Sequence, residues 1–341
     1  MLRDAYGQLC AYFEQLDADF CPPGTLEALS RCAPSEAAEI GPFLAALIPA
    51  LRADTSLDDE QFLKLFLSSA KDFNQNPALA DARFNRNGGY VIRLFLANWV
   101  AQVNRSMFTH DDSFENTGVK VIHNIFDPIE VDTILRAFDN MPISSRLLPE
   151  NIFWEVFRAK EAFAKTFINK TFALVAPFIG RTDADAKKLF LSRMFLQRHL
   201  NRVDDGDVNK VYHYDTFFPA IKFWYFPEDV KLSDGPLNVL TRSTNLSHRF
   251  LHWVHQQSIN IAENKIEPWR TVGHAEGSLR TSIEEACAVE PATKEKLLTV
   301  PGNTLVIANV LNFHRRGEVA ADCIRKAVHG SVRVNNPFYL R

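Results

Sequence analysis

His213 and Asp215 stand two residues apart in Val211-Tyr212-His213-Tyr214-Asp215. On a strand, positions i and i+2 point to the same face, so an imidazole and a carboxylate lie side by side, as two metal ligands from one strand would. Alone the motif is weak, because 10 His in 341 residues make a chance HxD common, and a solvated or core-satisfied pair is the ordinary alternative. His274-Ala275-Glu276 competes with it but lies between Gly273 and Gly277, where a loop is expected. Downstream, Pro301-Gly302-Asn303 is a turn that feeds a long apolar strand over 304–314 ending in His314, and Arg325 follows eleven residues later. Alternation over 323–334 puts Arg325, Ala327, His329 and Ser331 on one face and Ile324, Val328, Val332 and Val334 on the other, so the polar face looks into a wet cavity or out to solvent. Two imidazoles and one carboxylate on a face of an octahedral ion leave three open positions, which suits non-haem Fe(II) oxygenases. A guanidinium then has a task. A co-substrate such as 2-oxoglutarate chelates the metal through its keto-acid end and leaves a distal carboxylate that matches a planar fork.

Lesser candidates surround these. Lys222 and Trp224 share a face of the strand after the HxD and could reach co-substrate and substrate respectively, against the reading of an exposed lysine and a core tryptophan. Gln197 and His199, on a strand over 189–199, could line the same cavity or satisfy backbone groups, and Gln197 is the co-substrate candidate of the two. Arg242, His248, Arg249, His252 and His255 form a local basic cluster that is either a grip on an anionic substrate, through Arg242 and Arg249, or a solvated helix face.

These residues need a frame. Apolar residues recur at helical spacing up to about 75 (Leu9, Tyr12, Phe13 and Leu16, then Ile40, Phe43, Leu44, Leu47 and Leu51), so 1–116 is expected to be a helical N-terminal region. Asn85 to Gly89 is expected to turn, and Tyr90 to Val103 to be helix or strand. At Gly118 the character changes to a β-branched run, Val119, Val121 and Ile122, followed by a helix with Asp127 as N-cap and Pro128 at its first position. A second helix is expected over 150–179, and then strands over 189–199, 210–215, 220–226, 236–241, 298–300, 304–314 and 323–334. Short strands separated by Pro, Gly and Asp argue for a sandwich or jelly roll over a parallel sheet. The connection 245–297 is long and carries a helix-like stretch near Trp253, the form of a lid or binding insertion.

Composition bounds the rest. With 38 Lys+Arg against 41 Asp+Glu, the net charge of -3 excludes the bulk electrostatic footprint of a nucleic-acid binder. Five Cys without a CxxC indicate neither a disulfide framework nor a zinc ribbon, and a reducing compartment fits. No signal-like apolar segment and no run of eighteen apolar residues is present, so a cytoplasmic protein without a membrane span is expected. The 27 Phe promise a thick aromatic core or an apolar cavity.

Taken in order, Gly118-Val119-Lys120-Val121-Ile122, Asp127-Pro128, His213-Tyr214-Asp215, Asp234-Gly235-Pro236-Leu237, Pro301-Gly302-Asn303, His314 and Arg325 resemble the phytanoyl-CoA dioxygenase-like family of iron(II)/2-oxoglutarate oxygenases. The resemblance covers about 117–341 and implies a double-stranded β-helix of the jelly-roll, cupin-like kind. It implies Fe(II) held by His213, Asp215 and His314, with Arg325 on the distal carboxylate of 2-oxoglutarate. It implies molecular oxygen and a small organic molecule as substrates, with succinate and CO2 released. Because position 215 is Asp and not Gly or Ala, the coordination place a halogenase gives to halide is filled, which favours hydroxylation and leaves desaturation or ring closure open. The chain departs from the family at Thr241-Arg242-Ser243-Thr244, where Pro-Gly-Ser-His is usual. Two rivals stay open: a cupin-type metalloenzyme without 2-oxoglutarate, in which Arg325 is idle, and a non-catalytic β-sandwich binding module.

Overall fold

The computed structural model describes residues 46–47, 61, 65, 77–95, 114, 117–139, 152–156, 162–179, 194–200, 208–215, 220–243, 247–265, 279–320 and 323–333. In chain order these form helices α1 (Pro77–Ala80) and α2 (Ala82–Arg86), strand β1 (Val119–His123), helix α3 (Pro128–Asp139), strand β2 (Ile152–Val156), helix α4 (Ala162–Ile179), and strands β3 (Met194–Leu200), β4 (Tyr212–His213), β5 (Ala220–Phe226) and β6 (Leu237–Thr241). Helix α5 (His248–Ala262), strand β7 (Arg280–Thr281), helix α6 (Ile283–Val289), and strands β8 (Lys294–Leu298), β9 (Thr304–Asn309), β10 (His314–Arg316) and β11 (Ile324–Arg333) complete them. The strands make a six-stranded sheet, β1-β9-β5-β11-β3-β2, and a five-stranded sheet, β7-β4-β10-β6-β8. Their pairings are antiparallel throughout.

Period-two burial explains the layers. Along β5, Ala220, Trp224 and Phe226 join Val306, Ala308 and Ala327 of the same sheet and Leu237, Val239 and Leu298 of the smaller sheet in one buried cluster, the core between the sheets. Ile221, Phe223 and Tyr225 point the other way and pack with Ile134 and Phe138 of α3 and Phe167, Ile168 and Val175 of α4. A strand apolar on both faces needs a layer on each side, and β5 has both. Helix α5 lies behind the smaller sheet, where Trp253 and Phe250 meet Phe313 edge-on with ring centroids 5.3 and 6.2 Å apart.

Local chemistry starts and stops the elements as expected at α3, where Asp127 Oδ1 accepts from the Ile129 and Glu130 amides and Glu130 accepts from the Asp127 amide. Elsewhere tertiary pairing overrides the sequence pattern. The helix expected over 150–179 is a strand, β2, then helix α4. Ile152-Phe153-Trp154-Glu155-Val156 is rich in β-formers and lies along β3 as the sheet edge. The strand expected over 304–314 is two strands in different sheets, because Asn309 accepts from the Leu311 amide and turns the chain so that β10 starts at His314. The strand expected over 298–300 is the end of β8 and a bridge at Val300. Asn85 and Arg86 belong to α2, whose N-cap Asp81 accepts from Arg83 and Phe84, so the turn begins at Asn87 and the chain is helical again over 89–95. The span 245–297 contributes β7 and most of β8 to the smaller sheet besides helices α5 and α6. Among the described residues no helix is long and apolar enough to cross a membrane, and Cys287 and Cys323 are free thiols.

Candidate metal centre

His213, Asp215 and His314 converge between the sheets, each offering a ligand atom within 4.8 Å of the others. His213 of β4 and His314 of β10 are directly opposite in the ladder, with ring centroids 4.7 Å apart. Asp215 lies just past the end of β4, where its amide donates to Val310 O at 3.0 Å. The two imidazoles are held alike: His213 Nδ1 is 2.8 Å from Val211 O and His314 Nδ1 is 2.9 Å from Asn312 O. A carbonyl only accepts, so each Nδ1 carries the proton and each Nε2 presents a lone pair. Both Nε2 atoms face the Asp215 carboxylate, at 3.6 Å from Oδ1 and Oδ2 respectively. Three acceptors converging with no proton to share among them is the donor set of a cation site, and these residues fit a divalent transition metal with part of its coordination sphere left open.

Electrostatics agree with ligand protonation states. Burial, the His314 imidazole and the Arg280 guanidinium hold the His213 pKa well below that of a free imidazole. Burial, opposed by Asp215 and reinforced by Lys222 and Arg280, lowers His314 too, so both rings are neutral at pH 7. Burial works to raise the Asp215 carboxyl, but the Lys222 ammonium and the two imidazoles outweigh it and keep the group ionised. Lys222 Nζ forms an ion pair with Asp215 Oδ2 from the inner face of β5, standing where a cation's charge is needed.

Arg325 faces the same interior. It is buried, donates from Nη1 to Gly235 O, lies over the Phe226 ring at 5.8 Å, and has no hydrogen-bond partner for Nε. Burial and the neighbouring Arg316 bring its pKa down to about 9. Gly235 has φ 68°, and a Cβ there would meet Val319 Cγ1 at 2.3 Å and Arg316 Cγ at 3.3 Å, so both arginines pack on this glycine. The alternation read over 323–334 is realised inward: Ala327 is in the core between the sheets, and His329 stacks on Trp224 at 5.3 Å.

The remaining candidates fall in different places. Lys222 and Trp224 reach the interior, the first against Asp215 and the second in the core between the sheets. Gln197 stands opposite Ala327 in the β3–β11 ladder, and its side chain, like that of His199, lies outside the described residues. Arg242, at φ 64°, and Arg249, in the first turn of α5, are both exposed to solvent. His255 is structural, with Nε2 3.0 Å from Asn85 O, and joins α5 to α2 beside the Arg86–Glu263 ion pair. His274 and Glu276 lie outside the described residues. Sequence reasoning missed two buried arginines that reach this interior, Arg280 and Arg316. Arg316 carried a signal, since it is two residues beyond His314 on a strand, whereas Arg280 sits on a two-residue strand with no period to read.

No protein-family model and no curated protein matches the chain. Similar solved structures include the epimerase SnoN in complex with Fe3+, alpha ketoglutarate and nogalamycin RO, at 12% identity and TM-score 0.41 over 67% of this chain and 84% of that one. HygX from Streptomyces hygroscopicus with nickel and 2-oxoglutarate bound is similar at 12% identity and TM-score 0.39, over 66% of this chain and 85% of its own. The non-heme alpha ketoglutarate dependent carbocyclase SnoK from nogalamycin biosynthesis is similar at 11% identity and TM-score 0.38, over 64% and 80%. Likeness at this level decides nothing about the chemistry of this chain, which is read from its own side chains.

Proposed function

We propose that this protein is an Fe(II)- and 2-oxoglutarate-dependent dioxygenase on a double-stranded β-helix, hydroxylating a small organic substrate with release of succinate and CO2. The observation that carries this reading is the convergence of two neutral, Nδ1-anchored imidazoles on one ionised carboxylate inside the sandwich. The buried Arg325 supports the 2-oxoglutarate part, since a desolvated guanidinium with an unpaired Nε needs an anion.

His213, Asp215 and His314 hold the metal, and the carbonyls of Val211 and Asn312 fix the ring orientations. Iron(II) with 2-oxoglutarate supplies, when bound, the oxidising power to replace a substrate C–H by C–OH using dioxygen. Arg325 orients the distal carboxylate of the co-substrate as a planar fork, with Gly235 O holding one of its nitrogens. Gln197, opposite Ala327 in the β3–β11 ladder, is the candidate for a further contact with the co-substrate. Lys222, paired with Asp215 from the facing sheet, is a cation that would be available to the co-substrate. Trp224 and His329, stacked with ring centroids 5.3 Å apart, form a wall that shapes the substrate space.

The test loads purified protein anaerobically with Fe(II) and 2-oxoglutarate, screens small organic molecules after admitting oxygen, and reads succinate together with a product heavier by one oxygen atom. Stoichiometric iron, saturable 2-oxoglutarate binding and coupled succinate release are expected. Iron binding without 2-oxoglutarate binding would replace this reading with the cupin-type metalloenzyme.

A further inference from the structure

Val310 to Phe313, the residues between β9 and β10, carry the chain from the larger sheet to the smaller one and are all buried. A buried turn must pair its backbone polar groups within the protein, since an unpaired one away from water is costly. Here two of its carbonyls are spent on the metal centre. Val310 O accepts from the Asp215 amide at 3.0 Å, and Asn312 O lies 2.9 Å from His314 Nδ1. One short turn thus holds groups at two of the three candidate ligands.

The turn is itself fastened from two sides. On one, Ser243 Oγ accepts from the Phe313 amide at 2.8 Å and donates to Leu240 O at 2.6 Å. On the other, Asn312 Nδ2 donates to Thr117 O at 2.9 Å and the Asn309 amide to Gly118 O at 2.8 Å, so the turn is tied to the chain as it enters β1. Gly118 has φ 68°, and a Cβ there would overlap Asn312 Nδ2. The absence of a side chain at 118 is therefore what lets the Asn312 amide reach Thr117. Filling space does not ask for an amide at 312. His213 gives the contrast, because its Nδ1 meets the carbonyl of Val211, a residue whose side chain can form no hydrogen bond. The carbonyl that orients His314 belongs instead to a residue whose own side chain is pinned.

We propose that Asn312 is a positioning residue of the metal centre: its side chain, clamped between Thr117 O and Gly118, holds in place the carbonyl that orients the His314 imidazole. This deepens the reading of the centre as an iron and 2-oxoglutarate site and rests on it. A ligand ring fixed beforehand does not have to be ordered when metal binds, and loss of such an outer partner typically weakens metal binding by about 10–100-fold. Removing the side chain leaves the carbonyl in the chain but frees it to move, so the lower end of that range is expected.

Full-length Asn312→Ala and Asn312→Ser are compared with wild type and with Asn303→Ala. Asn303 is the matched control at the other end of β9, since its side chain also bridges distant backbone, accepting from the Phe126 amide at 3.1 Å and donating to Phe126 O at 2.7 Å. Urea denaturation should show loss of stability in all three variants. Calorimetric titration with Ni(II) should show about tenfold weaker binding in Asn312→Ala and a change below about twofold in Asn303→Ala. The visible absorption bands of Co(II)-loaded protein should shift in the Asn312 variants alone. Without metal, at pH 8, histidine nitrogen NMR should find His314 with its proton on Nδ1 in wild type and mixed between the two nitrogens in Asn312→Ala, with His213 unchanged. Wild-type Ni(II) affinity, Co(II) bands and His314 proton placement in Asn312→Ala overturn the proposal. So does an equal loss of Ni(II) affinity in Asn303→Ala, which would make the effect one of stability alone. If wild type binds no Ni(II), the reading of the centre fails by itself, and the His314 proton in the Asn312 variants still decides whether Asn312 holds that ring. Should Asn312→Ala fold poorly, Asn312→Ser, which leaves a hydroxyl in the same place, carries the comparisons.

Discussion

Lys222 Nζ meets Asp215 Oδ2 as an ion pair in the space between the two sheets, on the carboxylate that the Nε2 atoms of His213 and His314 both face at 3.6 Å. The ammonium thus offsets the charge of the carboxylate from the facing sheet. It also keeps the carboxylate deprotonated against the effect of burial, so the ligand is ready for metal without first losing a proton.

Removing that ammonium has opposite consequences at the two ends of the pH range. In Lys222→Met, burial of the Asp215 carboxyl is less opposed and its pKa rises. At pH 8 the carboxylate is still ionised and no longer occupied, so the variant should bind Ni(II) at least as tightly as wild type. As pH falls below the raised pKa the variant should lose affinity relative to wild type by up to about tenfold per unit, one proton being displaced per metal bound. Metal titrations at pH 8 and pH 5.5 check this, and a constant ratio between the two proteins would remove Lys222 from the role.

Each of His213→Ala, Asp215→Ala and His314→Ala should lose tight iron binding and all turnover, because two remaining donors make a weak bidentate site. Iron content after gel filtration and circular dichroism, measured together, separate loss of a ligand from loss of fold. A variant among the three with full iron content and full activity would show that the ligand set is wrong.

Arg325→Lys and Arg325→Ala should weaken 2-oxoglutarate by about tenfold and up to a hundredfold, leaving metal affinity unchanged, since a charge-assisted pair contributes roughly 1.5–3 kcal/mol. Gly235→Ala should produce a smaller loss of the same kind and a destabilisation of about 1–2 kcal/mol. Its φ of 68° is unfavourable for any residue with a Cβ, and the carbonyl that steadies Arg325 belongs to it. Calorimetry and chemical denaturation read the two effects, and Arg325 variants with wild-type affinity for 2-oxoglutarate would favour an enzyme without that co-substrate.

His329 links the interior to acid stability. Burial, with the Lys222 charge, takes its pKa down to about 3, whereas in the unfolded chain it titrates near 6.5. Between those values the unfolded state binds the proton and the folded state does not, so stability is lost as pH falls below about 6.5. At about 1.4 kcal/mol per unit, this group accounts for roughly 2 kcal/mol between pH 7 and pH 5. His329→Phe, which keeps a ring against Trp224, should therefore lose less stability over that interval than wild type in urea denaturation of the metal-free protein. Parallel pH profiles for the two proteins would contradict the burial of that imidazole.

Local chemistry made part of this protein legible in advance. The two-residue spacing of His213 and Asp215, the turn before β9 that leads to His314, and the alternation that turns Arg325 and His329 to one side of β11 are all short-range properties, set by backbone geometry within a few residues. The cap at Asp127 and the β-run from Val119 belong to the same class. What stayed hidden depends on partners distant in the chain. Ile152 to Val156 is strand and not helix because β3 lies beside it, about forty residues on, and the chain divides at Asn309 because the next residues complete the other sheet. Arg280 gains its place by pairing with a histidine 67 residues earlier, and Lys222 its partner because two sheets face each other. Periodicity says which residues share a face of one strand. Only the pairing of strands says which faces meet, and burial between them then sets the charge and protonation of every group at the centre.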